Sequence, residues 1–195
     1  MLLVGNFFFL GYIGIPRLVD GREGISLAFS FERAIPYQSW AAVPYILGYP
    51  VVLLPGFLFP ETHYFRRGTL ALLSAMGVSF IFFLVLPIRC IPPPAQELID
   101  AFFLDRLFWL DDGGWNAFPS LHVAVATAAC LSLLRISFSW TVFGMILWLS
   151  IFASTLLLKR HYFLDSAAGA ALGCAVHFLF VEPEFRRRGV PWVFS

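Results

Sequence analysis

Two short motifs place imidazole side chains at the ends of apolar stretches of the chain. Pro119, Ser120 and His122 form a Pro-Ser-x-His string, and His161 is followed four residues later by Asp165. A protonatable group at the edge of a membrane segment is energetically costly, so its presence points to chemistry. Two such histidines suit phosphoryl transfer, which needs a neutral nucleophile and a proton donor for the leaving oxygen.

The residue types give each of these side chains a candidate role. His161 can attack phosphorus through one ring nitrogen if the other nitrogen donates to a carboxylate, and Asp165 lies within reach if one helix contains both residues. His122 is predicted in the first turn of a helix, where it can protonate the departing alkoxide and later deprotonate the acceptor. We therefore predict His161, Asp165 and His122 as the catalytic residues.

A transferring phosphoryl group also needs positive charge around its non-bridging oxygens. The helix start at Ser120 offers free backbone N–H groups and the positive end of a helix dipole, which together form an anion seat. Three basic side chains near the motifs can supply further charge: Arg89, Lys159 and Arg160. We predict that Ser120 and these three cations bind the phosphate, with no metal ion and no other cofactor.

Each motif alone has a plainer explanation, because a histidine and an aspartate four residues apart more often form a structural hydrogen bond. Their joint arrangement favours function: Ser154 lies seven residues before His161, and His122 lies two predicted spans before it. His177 is interpreted differently. It lies twelve residues beyond Asp165, about 18 Å along a helix, which predicts a structural role near the opposite membrane face.

The composition predicts an integral membrane protein. The chain of 195 residues is 59% hydrophobic and 13% charged, with a mean hydropathy of +0.81, well outside the range of soluble domains. A net charge of +1 and the lack of a long basic run exclude a nucleic-acid partner. At about 20 residues per span, the length suits one membrane-embedded domain over 1–195.

The hydropathy pattern predicts an all-α bundle of six transmembrane helices. The predicted spans are 1–16 with an extension to Val19, 34–60, 69–88, 119–134, 140–158 and 164–181. The second of them contains five prolines and is predicted to be kinked or irregular. In the sixth, Gly169 and Gly173 have the four-residue spacing that lets two membrane helices approach closely.

Two stretches between the spans are predicted to lie along the membrane surface. Residues 17–33 mix charged and apolar side chains, and 95–110, between spans three and four, has the pattern of an amphipathic helix. Six spans bring both chain ends to one side and both histidine motifs to the other. The charges of the short flanking loops favour cytoplasmic termini and a site on the periplasmic, extracellular or lumenal face.

The two histidine motifs resemble the second and third signatures of the type 2 phosphatidic acid phosphatase superfamily, an all-helical fold of six spans. The resemblance covers residues 89–173. It implies that His161 is the nucleophile, that Asp165 orients it, and that His122 is the general acid.

The chain departs from this family at two places that concern phosphate binding. The first signature, a lysine six residues before an Arg-Pro pair, is absent, and Arg89 lies in the stretch that occupies its place. The arginine that usually follows the third-signature serine is Thr155 here. Lys159 lies one helical turn further on and would restore the charge if the fifth span extends so far. On that hypothesis, Lys159→Ala abolishes turnover.

A second set of residues resembles the inositol-phosphoceramide-synthase-like branch of the family, whose members transfer a phospho-head group between lipids. The matching positions are Tyr37, Tyr45, Tyr49 and residues 154–155 and 159–162. The implied substrate is a lipid phosphate or a phospholipid in the bilayer. Three interpretations stay open: a lipid phosphatase, a lipid phosphotransferase, and a catalytically silent membrane scaffold or transport protein of the same fold.

Overall fold

The chain folds into helices joined by short irregular segments. A computed structural model describes residues 2–59, 61–90, 114–190 and 193. Within these ranges there is no β-strand, and one isolated bridge joins Ile25 to Ile88. The predicted all-α class is confirmed for this part of the chain. In chain order the α-helices are α1 (Leu2–Val19), α2 (Ala42–Leu47), α3 (Leu54–Leu58), α4 (Thr62–Val85), α5 (Leu121–Leu133), α6 (Phe138–Leu157), α7 (Phe163–Val176) and α8 (Glu182–Arg187).

Four helical stretches are long and apolar enough to cross a membrane, in agreement with the predicted membrane protein. They are Ser39–Leu58, Thr62–Val85, Phe138–Leu157 and Phe163–Arg187. The predicted first and fourth spans correspond to shorter apolar helices, Asn6–Val19 within α1 and Leu121–Leu133. The 13 residues of α5 cover about 20 Å, against a hydrocarbon core of about 30 Å. The helix lengths therefore support four of the six predicted spans.

The second predicted span is irregular, as its prolines indicate. Within Ser39–Leu58, 3-10 turns at Ser39–Ala41 and Pro50–Leu53 alternate with α2 and α3. Proline lacks an N–H group and collides with the preceding helical turn, so each proline limits the length of regular helix around it.

Two helical stretches extend beyond the spans predicted for them. Helix α4 begins at Thr62 rather than 69, because Arg66 and Arg67 lie within its first turns, where long side chains can reach past apolar surface to water. The last predicted span ends near 181, whereas the helical stretch continues through a π-helical turn, His177–Val181, to Arg187. Pro183 fits there because the first turn of α8 does not need its N–H group.

Helix α5 is the centre of the bundle and packs against α6, α7 and α4. The contact with α7 is close: a Cβ atom at Gly169 would collide with the carbonyl oxygen of Ser120, and one at Gly173 with that of Ala124. The spacing of these glycines thus indicates a real helix–helix contact, as predicted. The Ser120 backbone N–H also donates to the Asp165 carbonyl, at 2.9 Å. This contact brings the two histidine motifs together.

Residues 20–38, called the cover segment below, pack on the loop that carries the second motif. The Ser26 hydroxyl donates to the Tyr162 hydroxyl at 2.9 Å, and the Gln38 N–H donates to the Leu157 carbonyl at 3.1 Å. The cover segment is mostly irregular, apart from a 3-10 turn at Ser30–Ala34. The predicted interfacial helix 95–110 lies outside the described residues.

Candidate active site

His122 lies in the first turn of α5, which begins at Leu121, directly after Ser120. The Ser120 hydroxyl caps this helix by accepting the Val123 N–H, as the motif predicts. The His122 ring stacks on Tyr45, with ring centroids 4.2 Å apart, and meets the edge of Tyr49 at 4.7 Å. Its Nε2 forms a hydrogen bond with the Tyr45 carbonyl oxygen. Because a carbonyl only accepts, Nε2 carries the hydrogen and Nδ1 remains for proton transfer.

His161 lies in the loop between α6 and α7 and is 8% exposed. Its Nδ1–H donates to the Ala117 carbonyl oxygen at 3.0 Å, which leaves the lone pair on Nε2. Burial lowers the pKa of His161 to about 3, and the neighbouring His122 ring acts in the same direction. The imidazole therefore stays neutral at physiological pH, as a nucleophile requires.

The two imidazoles lie on the wall of one cavity of about 400 Å³. His122 comes from α5 and His161 from the loop before α7, two elements held together by the glycine contact described above. The convergence of the two motifs, which their joint arrangement predicts, is thus present in the fold. Two imidazoles on one cavity wall are what attack by one ring nitrogen and proton transfer by another would require.

Asp165 lies near His161, although not in the predicted geometry. Helix α7 begins at Phe163, so one helix does not contain both residues. Asp165 Oδ2 accepts the Tyr162 N–H at 2.8 Å and is 3.9 Å from His161 Nδ1, while Oδ1 is buried without a hydrogen-bond partner among the described residues. The Ala117 carbonyl, rather than the Asp165 carboxylate, is the hydrogen-bond partner that orients the His161 ring.

Three of the residues predicted to bind phosphate have other contacts. Ser120 is fully buried and caps α5. Arg89 places its guanidinium over the Trp115 ring at 4.7 Å from the centroid. Lys159 Nζ donates to the Glu32 carbonyl oxygen at 2.7 Å. In the described part of the chain, none of these three side chains lines the cavity.

Arg160, the fourth, directly precedes His161 in the chain, although it too is not among the described residues that line the cavity. It acts electrostatically on His161, and its Nε is buried without a hydrogen-bond partner among the described residues. A buried guanidinium nitrogen with no acceptor is suited to an anion that arrives with the substrate. Arg160 is therefore the best-placed cation of the predicted set.

The structure does not place Lys159 where it could supply the charge of the family's arginine, whose position is Thr155 here. Helix α6 ends at Leu157, and Lys159 has a φ of 55°, so the chain turns away before Lys159 can share a helix face with Thr155. Thr155 is itself fully buried, and its hydroxyl shares a hydrogen bond of 2.8 Å with the Ser166 hydroxyl. The premise that the fifth span extends to Lys159 is wrong.

Sequence reasoning missed Glu32 and Asn116. The Glu32 carboxylate is buried and accepts the backbone N–H groups of Phe29 and, at 2.6 Å, Phe163, so it ties the cover segment to the start of α7. Asn116 lines the cavity and donates to the Tyr12 carbonyl at 2.7 Å, and its Oδ1 is buried without a partner among the described residues. In the sequence, the one feature that points to Asn116 is its position just before the first motif.

His177 is not among the described residues that line the cavity. His177 is fully buried, and its Nδ1 donates to the Ala128 carbonyl at 3.1 Å, in agreement with the predicted structural role. Among the described residues, no group of three or more His, Cys, Asp or Glu side chains is arranged to hold a metal ion.

Comparison with known proteins connects this geometry to a family. A family model described as the PAP2 superfamily matches residues 20–179, most of the chain. No curated protein and no solved structure matches. Members of the superfamily are generally phosphatases or phosphotransferases, which indicates phosphatase-type activity on phosphate esters. The resemblance inferred from the two histidine motifs is confirmed at this level, and the chain belongs to the PAP2 superfamily.

Proposed function

We propose that the protein is a metal-independent membrane phosphatase or phosphotransferase that acts on a lipid phosphate or phospholipid through a phosphohistidine at His161. One observation carries the proposal: His161 Nδ1 is held by the Ala117 carbonyl, so that the lone pair of Nε2 is available on a cavity shared with His122. A catalytically silent scaffold would have no use for two buried imidazoles at one cavity.

The reaction proceeds in two displacements. His161 Nε2 attacks phosphorus, the bond from phosphorus to the lipid oxygen breaks, and protonated His122 gives its proton to the departing alkoxide. An acceptor hydroxyl then attacks the phosphohistidine while His122 takes its proton. The phosphorus–nitrogen bond breaks, its electrons return to Nε2, and both histidines regain their starting states.

Two charged neighbours stabilise the intermediate. The phosphorylated imidazole carries a positive charge, which the Asp165 carboxylate at 3.9 Å from Nδ1 offsets. The phosphoryl oxygens carry negative charge, for which the Arg160 guanidinium is available. Asp165 also holds the Tyr162 N–H, and so it positions the loop that carries His161.

The acceptor is water in a phosphatase and a lipid alcohol in a phosphotransferase. The contacts of Tyr45 and Tyr49 with His122 favour the second, because both tyrosines belong to the pattern shared with the inositol-phosphoceramide-synthase-like branch. A phosphodiester also carries less negative charge than a monoester and needs fewer cations. In the membrane, we propose the six-span bundle with cytoplasmic termini, 17–33 and 95–110 at the interface, and the site on the opposite face.

The test offers purified protein a panel of lipid phosphates and phospholipids in chelator, with and without a lipid alcohol. Released phosphate identifies a phosphatase, and a new phospholipid identifies a phosphotransferase. We expect His161→Gln to abolish either product and His63→Gln to retain it, because His63 is half-buried in the first turn of α4 and is not among the residues that line the cavity. Binding of lipid without turnover by the unaltered protein would favour the scaffold instead.

A further inference from the structure

The cavity that holds the two imidazoles continues along α5 away from them. After His122, its wall is formed by Val125, Ala128, Ala129 and Ser132, which share one face of the helix. From His122 to Ser132 the cavity extends about 15 Å at 1.5 Å per residue. This is about half of the hydrocarbon thickness of a bilayer, the depth of a single leaflet.

Facing walls leave this space open and apolar. On α4, a Cβ atom at Gly68 would have nothing within 4 Å, and Gly68 lines the cavity. The threonine and serine hydroxyl groups among the described lining residues are occupied within their own helices: Thr69 donates to the Phe65 carbonyl at 2.8 Å and Ser132 to the Ala128 carbonyl at 3.4 Å. The wall along α5 and α4 therefore presents mainly carbon, and the two imidazoles lie at one end of the cavity.

Three aromatic rings that contact one another form the other end, called the aromatic floor. The ring centroids are 5.3 Å apart for Phe59 and Tyr64, 5.0 Å for Phe59 and Phe185, and 4.9 Å for Tyr64 and Phe185. All three residues line the cavity. They come from the irregular second span, α4 and α8, so this floor joins three separate elements.

Charged groups lie directly against the floor. The Arg135 guanidinium is 5.5 Å from the Phe185 ring centroid, and that of Arg188 is 5.8 Å from the Tyr64 centroid. Arg135 is paired with Glu182, and Arg188 with Glu184 at 3.0 Å. A hydrocarbon chain that passed the rings would desolvate these ion pairs, so the favourable space for a chain ends at the floor.

We propose that this cavity binds one hydrocarbon chain of the substrate lipid and that the aromatic floor limits the length of that chain. The inference rests on the proposed function, since the phosphate end of the lipid must lie at His161 and His122. A volume of about 400 Å³ lies near the lower end of ligand pockets, which suits one chain rather than two. The enzyme thus selects lipids by the length of a single chain.

The test measures kcat/KM for two series of single-chain esters that differ only in chain length: alkyl phosphates, and alkyl phosphodiesters with a lipid alcohol as acceptor. We expect a rise of up to about fourfold for each further methylene that becomes buried, followed by a break where the chain reaches the floor. Gly68→Leu should move the break to shorter chains. Gly77→Leu is the matched control, because it lies on the same helix, also has open space around it, and is not among the residues that line the cavity.

A second pair of variants moves the break the other way. Phe59→Ala removes one ring of the floor and should extend the accepted length. Phe57→Ala should not, because Phe57 is 79% exposed on α3, the short helix that ends just before Phe59. The same break in unaltered protein and in both cavity variants would overturn the inference. If a short soluble phosphate ester is turned over and kcat/KM does not depend on chain length, the inference is wrong but the proposed function stands. Lack of turnover with every ester contradicts the proposed function as well.

Discussion

At the residue scale, two backbone carbonyl groups determine which nitrogen of each imidazole is free to react. Ala117 holds Nδ1 of His161, and Tyr45 holds Nε2 of His122. The sequence motifs predict both histidines and their candidate roles, because the spacing of residue types is local. They do not predict these partners, which lie 44 and 77 residues away along the chain. Every residue type has a backbone carbonyl group, so the sequence does not show which residue supplies the partner.

The first prediction separates the two neighbouring cations. Arg160→Gln should lower kcat about a hundredfold, because it removes a donor to the charge that develops on phosphorus. Lys159→Gln should have a smaller effect, since Lys159 Nζ is held by the Glu32 carbonyl. Steady-state kinetics on the best lipid substrate check the ranking. The reverse order, with Lys159→Gln nearly inactive, would restore the view that Lys159 replaces the missing arginine.

The second prediction concerns the buried carboxylate of the cover segment. Glu32→Ala leaves the Phe29 and Phe163 N–H groups without their acceptor and should lower the free energy of unfolding by about 3 kcal/mol. Loss of order in the loop should also reduce turnover. Thermal unfolding in detergent measures the first effect, with the exposed Glu23→Ala as control. Equal melting temperatures of Glu32→Ala and Glu23→Ala would refute this role.

The third prediction concerns pH. Burial lowers the pKa of His161 to about 3 from the ordinary 6.5, so between these values the unfolded chain binds a proton that the native protein does not. Stability contributed by neutral His161 is therefore present above pH 6.5 and is lost as the pH falls. The drop in melting temperature from about pH 7.5 to about pH 5 should be larger in the unaltered protein than in His161→Gln. Identical drops would contradict the burial argument.

At the scale of elements, the contact between α5 and α7 brings the two histidine motifs of the candidate site together. Ser120 caps α5 and Gly169 lets α7 approach it, and both features are read from local sequence patterns. The proline-rich second span is irregular for the same local reason. Helix α4 begins before the predicted third span because Arg66 and Arg67 lie within it, and charge alone does not end a helix. Whether charged side chains can reach water depends on the fold around them.

The fourth prediction tests this contact. Gly169→Val places carbon against the carbonyl oxygen of Ser120, which cannot move without shifting α5, and should destabilise the protein by about 3 kcal/mol. Ala171→Val adds the same kind of bulk on the exposed face of α7 and should change stability little. Thermal unfolding of the two variants in one detergent makes the comparison. A Gly169→Val protein as stable as Ala171→Val would show that the helices can separate freely.

At the scale of the whole molecule, composition predicts a helical membrane protein, and the structure agrees. The cavity could not be predicted, because a void depends on which small residues face each other across different helices. Gly68 on α4 and Ala129 on α5 are unremarkable in the sequence and become cavity walls only in the folded bundle. The same holds for the aromatic floor, in which Phe59 and Tyr64 meet Phe185 from a distant part of the chain.

The central claim is that His161 becomes covalently phosphorylated. Purified protein is mixed with a lipid substrate labelled at phosphorus, quenched rapidly in base to preserve a phosphorus–nitrogen bond, and mapped by peptide mass spectrometry. The account predicts label on His161, none in His161→Gln, and full labelling in His63→Gln. Label on a different residue, or undiminished turnover by His161→Gln, would contradict it.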